Sequence, residues 1–328
     1  MTGVRKNRNA AVELYRLLMM YGICLLHAAI GPAAHVTWLL NCTMFCVTAF
    51  AFVSGYYGIR FAPSKVLRLW GLGLVCALIC GRGDFVLSWR LFGEYWFLHA
   101  YVLLMTFAPL VNRAFAATSD GNLPMVAPLL LAIFAWGFAP SLPVLRDMGL
   151  PVTPGLEAYS GLTLLGAYAG ARLYRTWRLN ERLNGRWAAC ALAVLMVLAG
   201  SGICEYNLIV ALLLSAVTFR IVSGIVLPRP AERVILLAAP SVFAVYLLHQ
   251  PNIDILWSCV TALLDRGCGL YLAYVLTALA TLTVALLADV PRRLVAAILC
   301  PWIVRFWSQV DDFYERALKS VERKMLGK

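Results

Sequence analysis

Apolar segments about 20 residues long recur along the whole chain and leave it very few possible folds. A helix of that length crosses a lipid bilayer, and within lipid only helices and closed barrels satisfy every backbone polar group. The fold predicted is therefore all-α, a polytopic membrane helical bundle of about ten transmembrane helices. The predicted spans are residues 11–31, 36–58, 65–81, 93–112, 123–140, 156–173, 187–204, 206–224, 236–262 and 269–288.

The lysines and arginines orient these spans. With the N-terminus placed in the cytoplasm, only Arg82, Arg90, Arg146 and Arg266 of the 28 Lys and Arg residues fall in the predicted outer loops. Loops rich in Lys and Arg stay on the cytoplasmic side, so an even number of spans and cytoplasmic N- and C-termini are predicted. Topology then accounts for most of the net charge of +12, and no nucleic-acid partner is expected.

Two regions of the chain differ in composition. Residues 1–290 are predicted to form an integral-membrane domain, and residues 291–328 a cytoplasmic tail that begins as an interfacial amphipathic helix. The basic N-terminus followed by an apolar run also fits a signal peptide, with HAAIGPAA near the cleavage point. The charged residues Glu13 and Arg16 within that run, and the spans after it, favour a retained first helix.

Most of the ten cysteines lie inside apolar runs, for example Cys42 with Cys46 and Cys76 with Cys80. A spacing of four residues places each pair on one helix face, which favours helix packing as their role. The sequence contains no pair of CxxC elements, and its four histidines lie far apart along the chain. No metal site is therefore predicted.

Arg16 and His27 bracket a mostly apolar stretch of the first predicted span, RLLMMYGICLLH. Their spacing places both side chains on one helix face, about 16 Å apart along the axis. Ionisable groups within a membrane mark functional sites by default, and neutral imidazole is the usual general base near pH 7. A structural role is equally open, in which Arg16 snorkels and pairs with Glu13 while His27 makes a packing hydrogen bond.

The second polar stretch is FVSGYYG, which contains Ser54 and Tyr56 and is followed by Arg60, Lys65 and Arg68. A Ser-Gly pair near a helix end permits a kink or close backbone approach. The three cations beyond it are suited to holding phosphate groups. Positive-inside topology predicts cations at this place as well, so the residues alone leave both interpretations open.

Two further stretches carry polar groups in apolar surroundings. EYWFLHAY contains Trp96 and Tyr101, which fit either a substrate site or an interfacial aromatic belt. VYLLHQP contains His249, which fits either a cavity lining or a structural hydrogen bond. No GxSxG, Walker A or zinc-protease motif is present. The residues alone thus indicate a polytopic membrane protein with buried histidine and arginine.

Four motifs, taken in order, resemble the integral-membrane acyltransferase 3 family in its stand-alone form without a fused periplasmic esterase-like domain. The stretch ELYRLLMMYGICLLH is similar to the family's first-helix Arg-x10-His motif, and FVSGYYG to its SGY motif. YWFLHAYVLLMTFAPLVN is similar to its WF-x-x-x-Y helix, which ends in Pro-x-x-Asn, and VYLLHQP to its VYLxHxP motif. The resemblance extends from residue 13 to residue 252 and covers nearly the whole chain.

The resemblance implies an O-acyltransferase of the bacterial cytoplasmic (inner) membrane. Such an enzyme moves an acyl group, commonly acetyl, from acyl-CoA to a hydroxyl of a carbohydrate or lipid-linked sugar, without a metal. His27 matches the catalytic histidine and Arg16 its partner in the motif, and either Arg16 or His249 is expected to stabilise the oxyanion. The phosphates of CoA are expected at Lys65, Arg68 and Arg60, and substrate at Ser54, Tyr56, Trp96, Tyr101 and His249.

Several alternatives stay open at the level of the sequence. His27 acts either as general base or as a nucleophile that forms an acyl-histidine, and no acidic partner for it is visible in the motifs. The rival class is a transporter of a sugar or amphiphilic molecule through the same polar cavity, although no internal repeat is found. A third interpretation is a structural subunit of a glycan-assembly complex. For the enzyme, a cavity running through much of the bundle is predicted.

Overall fold

The structure is a computed structural model that describes residues 9–31, 37–117, 156–201, 208–298 and 300–326. Within these ranges every regular element is a helix and no strand occurs, which confirms the predicted all-α class. Short 3₁₀ turns occur at Ala239–Ser241 and Gln250–Asn252. The helices are α1 (Ala10–Ala29), α2 (Thr37–Thr43), α3 (Phe45–Tyr57), α4 (Pro63–Cys80), α5 (Phe85–Glu94), α6 (Trp96–Ala117), α7 (Leu156–Thr176), α8 (Leu179–Arg182), α9 (Gly185–Gly200), α10 (Leu208–Ser223), α11 (Arg229–Ala238), α12 (Val242–His249), α13 (Ile253–Asp265), α14 (Leu270–Ala288), α15 (Val290–Ile298) and α16 (Cys300–Leu326).

Six helical segments in the described part of the chain are long and apolar enough to cross a membrane. They indicate a membrane protein, as the composition predicts. Each coincides with a span predicted from the sequence, and two of the predicted spans form from more than one helix. The six segments are Ala10–Ala29, Trp38–Tyr57, Pro63–Cys80, Trp96–Ala116, Arg229–Asp265 and Leu270–Ile298.

The other four predicted spans are not among these six segments. Three of them coincide with α7, α9 and α10. Helices α9 and α10 have 16 residues each in the described ranges, which is less than the roughly 20 that a full crossing needs. The predicted span 123–140 lies outside the described residues. About ten spans and the cytoplasmic position of both termini therefore stay predictions.

Helix α1 lies at the centre of the bundle and packs against α2, α3, α10, α11, α12, α13 and α14. It begins at the side chain of Asn9, which accepts a hydrogen bond from the backbone N–H of Ala11. Where α1 meets α3, a Cβ on Gly22 would overlap the sulfur of Cys46, so the two backbones approach closely because Gly22 has no side chain. Polar groups on α1 are consequently surrounded by other helices.

Large apolar side chains cover the outside of the bundle. Ile79 is 62% exposed, Leu110 is 68% exposed and Val197 is 70% exposed, and many other Leu, Val, Ile and Trp side chains are similarly uncovered. Soluble monomers rarely expose contiguous apolar surface of this extent. Contact with lipid tails explains the exposure of these side chains, because lipid tails are themselves apolar and exposure to them costs little free energy.

The C-terminal segment is helical and docks on α4. The hydroxyl and the backbone N–H of Ser64 donate to the carboxylate of Asp311 over 2.7 and 3.0 Å. These hydrogen bonds from Ser64 lower the pKa of Asp311. The guanidinium of Arg68 lies 5.4 Å from the ring centroid of Trp307. The domain boundary predicted after residue 290 stays a prediction. In the structure a single residue, Asp289, separates α14 from α15.

Candidate histidine site

A pair of histidines stands at the ends of α1 and α12, two helices that pack against each other. The Nδ1 atom of His27 lies 2.7 Å from the Nε2 atom of His249. The ring centroids are 5.0 Å apart, with an angle of 32° between the ring planes. His249 is 2% exposed and His27 is half-buried. The sequence predicted both residues as site residues, and the fold brings them into direct contact.

The hydrogen bonds of His249 determine where the protons of the pair reside. Its Nδ1 atom lies 2.9 Å from the carbonyl oxygen of Val245. A carbonyl oxygen only accepts, so Nδ1 of His249 carries the proton, and the Nε2 of the neutral ring is then an acceptor. Nδ1 of His27 must therefore donate to it. The remaining ring nitrogen of His27, Nε2, is left with a free lone pair, as a general base requires.

Two aromatic side chains fix the helices that carry this pair. The indole N–H of Trp257 donates to the carbonyl oxygen of His27 over 2.9 Å. The same indole fills the space beside Gly31, where a Cβ would lie 2.5 Å from its Cδ1 atom. The hydroxyl of Tyr95 donates to the carbonyl oxygen of Leu247 over 2.8 Å. The backbone at or near each histidine thus accepts a hydrogen bond from a side chain elsewhere in the bundle.

Arg16 lies on the same helix but makes a different contact. Its Nη1 donates to Oε2 of Glu13 over 2.9 Å, and the side chains are 33% and 11% exposed, respectively. This is the ion pair that the structural interpretation of the sequence expected. Arg16 lies near the hydroxyl of Tyr101. Because about 16 Å of helix axis separates Arg16 from His27, the two side chains belong to different levels of the bundle.

Ser54 and Tyr101 form a second polar contact, at the level of Arg16. The hydroxyl of Ser54 lies 2.9 Å from the carbonyl oxygen of Phe50 and 2.8 Å from the hydroxyl of Tyr101. Since the carbonyl can only accept, Ser54 donates to it and Tyr101 donates to Ser54. The fold therefore joins two residues that the sequence predicted as substrate-binding.

The other two aromatic residues predicted for the substrate site pack among rings. Tyr56 lies against Phe219, with centroids 4.8 Å apart, and Trp96 meets Phe97 edge-on at 5.8 Å. The guanidinium of Arg175 lies 5.6 Å from the ring centroid of Tyr56. Tyr56 is thus next to a cation that the sequence analysis counted only as part of the topology.

The three cations predicted to hold phosphates lie at the start of α4 or just before it. Arg60, Lys65 and Arg68 are all exposed. Lys65 donates from Nζ to the carbonyl oxygen of Arg60 over 3.2 Å, and Arg68 stacks on Trp307. Lys65 and Arg68 thus contact the local backbone and the C-terminal helix, and phosphate binding by the three cations stays a prediction.

A ring of hydrogen bonds that the sequence analysis did not predict links the FVSGYYG stretch to α6 and α7. The backbone N–H of Ile59 donates to the hydroxyl of Tyr168, which donates to Oδ1 of Asn112, each over 2.9 Å. Asn112 donates in turn to the carbonyl oxygen of Ile59 over 2.9 Å. Asn112 belongs to the Pro-x-x-Asn motif, which was the one visible signal. The ring fixes the chain immediately after Gly58.

The fold and these contacts define a helical membrane protein with a buried, hydrogen-bonded histidine pair. Comparison of the chain with models of protein families, with curated proteins and with solved structures found no match. Within the residues that the structure describes, no three His, Cys, Asp or Glu side chains come together as a metal site would require. The resemblance in four motifs is accordingly a basis for a proposal about function.

Proposed function

We propose that this protein is a membrane O-acyltransferase of the bacterial cytoplasmic membrane. It moves an acyl group, acetyl in the first instance, from acyl-CoA to a hydroxyl of a cell-surface or lipid-linked sugar. The hydrogen bond between His27 and His249 carries the proposal, because it leaves Nε2 of His27 unprotonated inside the bundle. A neutral imidazole oriented by a second polar group is the arrangement that general-base catalysis uses. The motif resemblance supports the same chemistry.

In the proposed reaction, Nε2 of His27 takes the proton of the acceptor hydroxyl while the hydroxyl oxygen attacks the thioester carbonyl carbon. The C–S bond of the donor then breaks, and His27 returns the proton to the departing sulfur. His249 accepts a hydrogen bond from Nδ1 throughout and so stabilises the imidazolium that forms on His27. The rival acyl-histidine route would use the same Nε2 atom as nucleophile.

Arg16 takes a different role from the oxyanion stabiliser expected of it. Its guanidinium is about three helical turns from His27, and Nε2 of His249 accepts a hydrogen bond instead of donating one. With about ten spans and cytoplasmic termini, Arg16 is nearer the cytoplasmic side than His27. We assign Arg16, Ser54 and Tyr101 to the path along which the pantetheine arm of the donor reaches His27.

The alternative is a transporter of a sugar or amphiphilic molecule without acyl chemistry. One observation favours it, since Glu13, Arg16 and His27 lie along one central helix and His249 contacts the last of them. Such lines occur in proton relays as well as in enzymes. Transport requires no chemistry at Nε2 of His27, and this difference separates the two functions experimentally.

The test is transfer of label from acyl-labelled acetyl-CoA to glycan and lipid fractions in membranes containing wild type, His27→Ala or no protein. General-base catalysis contributes on the order of 10²–10⁴-fold, so His27→Ala is expected to transfer at background rate. His99→Ala is the matched control, because His99 bonds to the carbonyl oxygen of Phe92 on a different helix. Equal transfer by His27→Ala and wild type would contradict the assignment of His27.

A further inference from the structure

Arg172 is an arginine with an unpartnered buried group. It lies near the end of α7, and its Nε atom is buried without a hydrogen-bond partner. The four ion pairs among the described residues all involve other arginines. A guanidinium cannot lose its charge at any ordinary pH, and leaving a buried N–H of it unsatisfied costs free energy. Arg172 therefore presents a cation for which the described chain supplies no counter-ion.

The guanidinium of Arg172 lies against Gly58, which has no side chain. Gly58 follows α3 with a positive φ of 79°, and a Cβ built on it would lie 3.1 Å from Nη1 of Arg172. The backbone here is fixed on both sides, since Gly58 donates to the carbonyl oxygen of Ser54 and Ile59 belongs to the hydrogen-bonded ring with Asn112 and Tyr168. The guanidinium of Arg172 is thus packed against a rigid turn.

Arg175 lies one helical turn further along α7 and adds a second cation. Its Nη1 donates to the carbonyl oxygen of Tyr56 over 2.7 Å, and its guanidinium stacks on the ring of the same tyrosine. These contacts orient the planar group and use one of its five N–H donors. The nearby acid, Glu13, is already paired with Arg16. Both guanidinium groups thus contact the chain between Tyr56 and Gly58.

We propose that Arg172 and Arg175, with the turn at Gly58, bind a phosphate group of an anionic ligand. Guanidinium groups suit phosphate because their forked donors match its oxygens, and desolvated charge pairs are the strong ones. The identification of this phosphate with that of acyl-CoA rests on the proposed function. The headgroup of an anionic phospholipid also carries a phosphate and is the second candidate ligand. The site is distinct from the exposed cations Arg60, Lys65 and Arg68.

The experiment measures equilibrium binding of labelled coenzyme A to the purified full chain in nanodiscs of zwitterionic lipid. Arg172→Gln should weaken binding by about tenfold or more, because a hydrogen-bonded charge pair is lost. Arg178→Gln is the matched control, since Arg178 is exposed just after α7 and its Nε lies 3.8 Å from Oε2 of Glu181. Pantetheine, which lacks phosphate, should bind weakly and equally to all variants.

Gly58→Ala provides a second variant that leaves the charge unchanged. Its methyl group would lie 3.1 Å from Nη1 of Arg172 and displace the guanidinium, in a backbone conformation that favours glycine. It should weaken binding of coenzyme A while the protein stays folded by circular dichroism. Wild-type affinity in both Arg172→Gln and Gly58→Ala would overturn the site.

Parallel nanodiscs containing phosphatidylglycerol separate the two sources of phosphate. Loss of coenzyme A binding in these discs would show that anionic lipid competes for the site, and would assign the site to both ligands. Binding of phosphatidylglycerol alone, lost in Arg172→Gln, would assign it to lipid. Coenzyme A binding that depends on Arg172 without acyl transfer would keep the site and remove the proposed function. If Arg172→Gln binds both coenzyme A and phosphatidylglycerol as wild type does, with transfer intact, the site is removed and the proposed function is kept.

Discussion

The Nδ1 atom of His27 and the Nε2 atom of His249 are 2.7 Å apart although 222 residues separate them in the chain. The second ring nitrogen of His249 is occupied by the carbonyl oxygen of Val245. The proton positions of both rings follow from that one backbone contact. In the proposed mechanism His249 is thus a positioning residue for the base, in the way that a carboxylate orients the imidazole of a catalytic triad.

Substitution of His249 should slow acyl transfer without removing donor binding. His249→Ala deletes the acceptor for Nδ1 of His27, and a loss of catalytic rate on the order of 10²-fold or more is expected. His249→Gln keeps an acceptor oxygen and should recover part of the rate. Initial rates at saturating acetyl-CoA, with coenzyme A affinity measured in parallel, separate these effects. Equal rates in His249→Ala and wild type would exclude a positioning role.

Removal of the Trp257 indole N–H should destabilise the fold slightly. Trp257→Phe keeps an aromatic ring beside Gly31 but loses the hydrogen bond to the carbonyl oxygen of His27. A loss of about 0.5–1.5 kcal/mol of unfolding free energy is expected. Thermal unfolding in detergent measures it. Trp302→Phe, at a position that is 74% exposed, should leave the midpoint unchanged, and equal shifts in both variants would contradict the assignment.

The glycine of the SGY motif is required by helix packing. A Cβ on Gly55 would overlap the backbone carbonyl oxygen of Tyr168, which no rotamer change relieves. Gly55→Ala should therefore push α3 and α7 apart at a cost of about 1–3 kcal/mol. Gly71→Ala is the control, because nothing lies within 4 Å of a Cβ there, and helix propensity favours alanine by up to about 1 kcal/mol. Gly55→Ala is expected to lower the unfolding midpoint, and Gly71→Ala to raise it.

Docking of the C-terminal helix on α4 should weaken in acid. The pKa of Asp311 is lowered by its hydrogen bonds with Ser64, so the contact is complete above the ordinary pKa of an aspartate, about 3.9, and is lost as pH falls through the lower value. Asp311→Asn should mimic the protonated form. Spin-label distances between α4 and α16 measure docking. Asp312→Asn changes an exposed neighbour and should have no effect; equal distances in all three proteins would refute the contact's role.

Local patterns in the sequence predict the helices well and the contacts between them poorly. The first span was predicted at 11–31 and α1 runs from Ala10 to Ala29, because a run of apolar residues sets both ends. The ion pair of Arg16 with Glu13 could also be predicted from the sequence, because the two residues are neighbours on one helix. The contact of His27 with His249 depends on how distant helices cross, which no local pattern encodes.

The cations show the limit of topology rules. Arg172 and Arg175 look like any other residues of a cytoplasmic loop, and the positive-inside rule explains them without a site. The rule gives no information on which cations find partners after folding. In the structure Arg68 stacks on Trp307, whereas Arg172 keeps a buried N–H without a partner. The buried, unpartnered group of Arg172 is therefore a feature that no pattern in the sequence indicates.

The protonation of His27 is the most direct test of the account. The chain has four histidines, so ¹⁵N-histidine NMR of the protein with His35→Gln and His99→Gln reports the pair alone. The account predicts two neutral rings at neutral pH, each protonated on Nδ1 and each with an unprotonated Nε2. A proton on Nε2 of His27 would contradict the account, because that nitrogen would then have no lone pair with which to take the acceptor's proton.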